Sequence, residues 1–152
     1  MRIFFCFICL LTFSVFFAYS QDITWNENLS FSANWEITQS LFERVRNGTL
    51  RNRINVVSGN SSFSLDENIQ AYIVTINYRN LFISASEQMY NTFLQEAEKI
   101  FGSVAESSLR DGNYYCNFQV QNADYNFMVC QIMTLNTGNR GWVMVQFFYD
   151  KE

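Results

Sequence analysis

Residues 114–150 read YYCNFQVQNADYNFMVCQIMTLNTGNRGWVMVQFFYD, and this stretch decides the fold. Three runs, Tyr114–Gln121, Tyr125–Leu135 and Trp142–Asp150, are filled with β-branched and aromatic side chains. The connections, Asn122-Ala123-Asp124 and NTGNRG at 136–141, have hairpin lengths and hairpin residues. The runs predict a C-terminal three-strand antiparallel meander. Its first loop would pair Gln121 with Tyr125. Counting outward, that register sets Cys116 directly opposite Cys130 on one face, where cross-strand Cβ atoms lie about 4.5–5.5 Å apart. A Cys116–Cys130 disulfide is therefore expected. It would close a loop of about 15 residues, worth ~3 kcal/mol.

Alternation divides the meander into two faces. Tyr114, Cys116, Phe118, Val120, Met128, Cys130 and Ile132 share one, extended by Val143, Val145, Phe147 and Tyr149. The opposite face is not polar. It carries Tyr125, Phe127, Val129, Met133, Leu135, Trp142, Met144 and Phe148. A sheet with one solvated face alternates apolar with polar side chains, and this one does not. Either the N-terminal helix and lead-in cover that second face, or it binds something. Phe127, Trp142, Met144 and Phe148 are the candidate binding face.

Upstream, Ser86–Val104 carries Met89, Tyr90, Phe93, Leu94, Ala97, Ile100, Phe101 and Val104 at three- and four-residue steps. This predicts the longest helix, packed on the first face. Ser84-Ala85-Ser86-Glu87 has the pattern of a capping box. Ile69–Tyr78 and Leu81–Ala85 read as a hairpin turned at Arg79-Asn80. Weaker strand signals lie at Leu50–Ser58 and at 63–65. Residues 35–46 (WEITQSLFERVR) predict a shorter helix capped by Asn34 and ended by Asn47-Gly48. The expected class is α+β: an antiparallel sheet of about five to six strands, packed by one long amphipathic helix, with a shorter N-terminal helix.

The first 20 residues differ from the rest. Met1-Arg2 is followed by the apolar run IFFCFICLLTFSVFFA, then Tyr19-Ser20. A short basic start, an apolar centre and small residues at Ala18 and Ser20 predict a secretory signal peptide, 1–20, cleaved before Gln21. Residues 21–152 would then form a single domain, secreted or periplasmic, with no second run able to span a membrane. Cys6 and Cys9 leave with the leader. Cys116 and Cys130 remain as an even pair in an oxidising compartment.

Loss of Arg2 leaves 9 basic against 14 acidic residues, a net charge of −5. An acidic exported domain is a poor ligand for nucleic acid. Arg44, Arg46, Arg51 and Arg53 form one local exception, a candidate patch for an anionic partner or a solvated helix end and strand edge. The triplets at Asn28, Asn47 and Asn60 match the glycosylation acceptor pattern, which matters only in a eukaryotic secretory route.

The chain holds no His, which excludes His-dependent triads and His metal sites. It has no Gly-rich phosphate loop and no Gly-x-Ser-x-Gly elbow. Asp66-Glu67 and Glu96/Glu98 read as solvated acids, so neither a metal nor another cofactor is expected. The reading is a non-enzymatic exported domain that binds a protein or envelope component. Its alternatives are a carrier of a small apolar ligand, with a pocket between helix and sheet, and a hydrolase using carboxylates.

Overall fold

The computed structural model describes residues 29–49, 56–58, 60–122 and 125–150. The proposed signal peptide lies outside the described residues.

The first element among the described residues is α1, Phe31–Arg46. Ser30 caps it, its Oγ accepting from Ala33 N at 3.2 Å. The helix thus starts four residues before the expected Trp35, because the earlier serine takes the cap. Asn34, expected to cap it, lies buried inside the first turns and donates from Nδ2 to Tyr78 Oη at 2.7 Å. After α1 come β1 (Val56–Ser58), β2 (Ser61–Asp66) and β3 (Ala71–Phe82). A second helix, α2, spans Ile83–Phe101. Then follow β4 (Glu106–Arg110), β5 (Asn113–Asn122), β6 (Tyr125–Thr137) and β7 (Arg140–Asp150).

The seven strands among the described residues form one antiparallel sheet in the order β1-β2-β3-β7-β6-β5-β4. The α+β class and the C-terminal meander are as the sequence predicts, with β4 added at the edge. Each half is a helix followed by a meander, and the last strands of the two halves, β3 and β7, pair at the centre. To pass from β3 to the edge strand β4 the chain must cross β7, β6 and β5. Four strand spacings are about 19 Å. A helix the length of α2 reaches about 28 Å, enough to cross diagonally.

Two expected turns take another form. Arg79-Asn80 does not reverse the chain. Asn80 sits at φ 62°, and the pairing with β7 shifts between Tyr78 and Leu81. This is a bulge, with Asn tolerating the left-handed conformation. Leu81 and Phe82 continue β3 opposite Gly141 and Arg140. The Arg140 guanidinium lies 5.2 Å from the Phe82 ring centroid. With no hairpin there, α2 starts directly off the strand. Phe82 is its N-cap and supplies no side-chain bond, so Ser84 and Glu87 form no capping box. Ser86 instead donates from Oγ to the Ile83 carbonyl at 2.7 Å, with Asn136 Oδ1 3.2 Å from the same hydroxyl. At the other end Gly102, at φ 87°, stops the helix, and the chain turns into β4.

Both helices pack on the same face. Phe31 meets Phe93 of α2 and Phe147 of β7 at centroid distances of 5.8 and 5.7 Å. Trp35 lies against Phe101 and Phe147, and Phe42 stacks on Tyr149. Tyr90 stacks on Tyr114, and Phe101 meets Phe118. One continuous core joins these rings to Val74, Ile76, Ile132, Val143 and Val145. Glu96, read as a solvated acid, has a structural task. Its Oε2 accepts from both the N–H and the hydroxyl of Ser32 at 2.9 Å, fixing the start of α1 to α2. A carboxylate there also meets the positive end of the helix dipole.

The expected disulfide is corrected by the register. The β5–β6 ladder begins at Asn122↔Tyr125, and a shift between Val120 and Asn122 places one further residue on β6. Together these slip the pairing by two residues. Cys116 stands opposite Ile132, and Cys130 opposite Phe118. Both thiols are free and buried, as diagonal neighbours on the helix-covered face. From Val120↔Met128 onward the slip is of two residues, which keeps Cys116, Phe118, Cys130 and Ile132 on their expected face, whereas a slip of one would have exchanged the faces.

Candidate functional site

With both helices on one side, the other side of the sheet carries no helix among the described residues. Cross-strand pairing arranges its side chains in rows that run across the strands. Leu135 faces Trp142, and Tyr115, Met133, Met144 and Asn77 form the next row. Asn117, Gln131, Gln146, Thr75 and Ser62 make a wholly polar row through the middle. Beyond it lie Val129, Phe148 and Ile73. The apolar members of these rows are half-buried.

Trp142, Met144 and Phe148 therefore do share one face, on alternate positions of β7. Phe127 belongs to β6, with its side chain outside the described ones. Arg44 and Arg46 lie in the last turn of α1, where cations suit the helix C-terminus. Arg51 and Arg53 lie outside the described residues, so the proposed patch is represented by its first two members alone.

Sequence reasoning missed the polar row and the contribution of β3. Ile73, Thr75 and Asn77 alternate with the buried Val74, Ile76 and Tyr78, which is a period-two signal. Their membership of this face became visible only once β3 was seen to pair with β7.

Two shallow pockets indent the face. One, of about 250 Å³, is lined by Ile69, Ala71, Val129, Gln131, Phe148 and Asp150. The other, of about 510 Å³, lies toward β4, where Tyr115, Met133 and Leu135 meet Glu106, Ser108 and Arg110. Beside it Asn117 is 8% exposed. Its Nδ2 donates to Glu106 Oε2 and to Tyr115 Oη, both at 3.1 Å. Its Oδ1 is buried with no hydrogen-bond partner. A buried acceptor in that state carries a desolvation cost of about 1–3 kcal/mol. On the central row Gln146 Nε2 donates to Thr75 Oγ1 at 3.2 Å.

The thiols belong to the covered face. Burial raises the pKa of both, and the nearby Cys116 raises that of Cys130 further. Burial also raises Tyr90, which hydrogen-bonds Cys116. These groups stay protonated at neutral pH and are poor nucleophiles there. The space between the helices and the sheet, where the alternative reading as a carrier would set a pocket, is occupied by Phe31, Phe93, Phe118 and Phe147. Among the described residues no three His, Cys, Asp or Glu gather within reach of a metal, and no helix is long and apolar enough to cross a membrane.

Fold and face together define an α+β protein with a one-sided helical layer and a banded, partly apolar sheet surface opposite it. Compared with models of protein families and with curated proteins, the chain matches none.

Proposed function

We propose that the chain is an exported, non-enzymatic binding domain that takes a protein or envelope component on the uncovered face of its sheet. One observation carries this reading. Both helices lie on one side, so Val129, Met133, Leu135, Trp142, Met144 and Phe148 are left half-exposed on the other. Apolar side chains in rows on either side of a row of amides and hydroxyls suit a partner that offers apolar groups and hydrogen-bond donors and acceptors. Export rests on the pattern of residues 1–20.

The test is a comparison of the parent chain with Trp142→Lys and Phe148→Lys in capture experiments from culture fluid or envelope extract. A partner held by this face is lost in both variants while the thermal midpoint stays within a few degrees. Equal capture by parent and variants would remove the face from the reading. N-terminal sequencing of the exported product checks the leader, with Gln21 expected first.

A further inference from the structure

We propose that the chain pairs with a second copy of itself through the free edge of β4, joining two sheets into one. β4 ends the sheet, and all five of its residues are exposed. One side of the strand is hydrogen-bonded to β5. Among the described residues no strand lies on the other side of β4, and such an edge is the usual template for strand addition.

The sequence of this edge, Glu106-Ser107-Ser108-Leu109-Arg110, is complementary to itself. Laid antiparallel on its own copy about Ser108, it sets Glu106 opposite the second copy's Arg110, and Arg110 opposite the second copy's Glu106. Both pairs fall on the uncovered face, because residues directly opposite in an antiparallel pair share a face. Ser107 meets Leu109, and Ser108 meets Ser108. Residues of like parity are matched throughout, so the outward backbone groups of one strand meet outward groups of the other. A slip of two residues in either direction puts each charge beside a neutral side chain, so the charges select this register. Edge strands are commonly protected by a charge in the middle. Here the middle is serine, and the charges stand at symmetric ends with opposite sign.

Two details prepare the edge. Glu106 is already held on the correct face by Asn117 Nδ2, leaving Oε1 to accept from the second copy's Arg110. Leu109 is 62% exposed on the helix side, an apolar group that the pairing would cover. Five residues make a small interface against the roughly 1,600 Å² of a standard one, so the pair is weak and concentration-dependent. It is an isologous two-fold pair, with the helices of both copies on the same side and the two uncovered faces joined.

Sedimentation of the purified chain over a wide concentration range should show a monomer–dimer equilibrium. Glu106→Arg and Arg110→Glu should each weaken the dimer at least tenfold, and the double exchange should restore it. Ser108→Cys should form a cross-linked dimer under mild oxidation, whereas Ser107→Cys, opposite Leu109, should not. Circular dichroism confirms that the variants keep the fold. A chain monomeric at every concentration, a dimer indifferent to both charge reversals, or equal cross-linking at 107 and 108 would each overturn the proposal.

Discussion

On β7 two sets of side chains alternate, and their fates differ. Val143, Val145, Phe147 and Tyr149 are buried under two helices. Trp142, Met144, Gln146 and Phe148 face the other way and stay half-exposed. Apart from Gln146, the two sets have similar hydrophobicity. The helices lie on the first set, where Phe31 and Trp35 meet Phe147 and Phe42 stacks on Tyr149. Apolar character alone is therefore no guide to which side of this sheet is core.

The largest test of that contrast compares neighbours in sequence. Phe147→Ala removes a fully buried ring that touches Phe31 and Trp35, and should cost about 3–5 kcal/mol in urea unfolding. Phe148→Ala, one residue on, should cost about 1 kcal/mol. Equal losses would mean that the second face is covered after all. Tyr78→Phe tests the polar tie beneath α1. It takes the acceptor from Asn34 Nδ2 in a buried site and should cost about 1–3 kcal/mol, read as a lower urea midpoint.

Alkaline pH separates the faces in another way. Cys116 and Cys130 titrate above the ordinary thiol value of 9.0 when folded. Above that value the unfolded chain releases protons that the folded chain keeps. Their contribution is therefore whole below the unfolded pKa and is lost as pH rises through the folded ones. Urea midpoints should fall as pH rises past 9, and Cys130→Ala should make the fall shallower. The smallest effect belongs to the uncovered face. Gln146→Ala breaks a bond to Thr75 that water can replace, and should change stability by about 0.5 kcal/mol.

The C-terminal meander was legible from residues 114–150 and the two helices from residues 35–46 and 86–104, and the described side chains of the meander lie on the faces that alternation gave them. Period two and period 3.6 are local properties, and local periodicity survives almost any tertiary arrangement. The bulge at Asn80 was not legible, since the same Arg-Asn pair suits a tight turn or an interrupted ladder. Nor was the start of α2, because a helix that leaves a paired strand needs no capping side chain to position it. Of the candidate site, three residues of β7 were placed on the correct face from alternation. The polar row needed the pairing of β3 with β7, a contact between segments about 70 residues apart that leaves no local trace.

The pattern of alternation by itself determined which side chains travel together, and with them the class of the fold. The tertiary structure decided which of the two apolar faces became the core, because two amphipathic helices can cover one side of a twisted sheet and α1, fixed to α2 through Glu96, had to join it there. It also decided the state of the two cysteines. A two-residue slip in register preserves the face and so passes unnoticed in the sequence, yet it moves the thiols from directly opposite to diagonal positions.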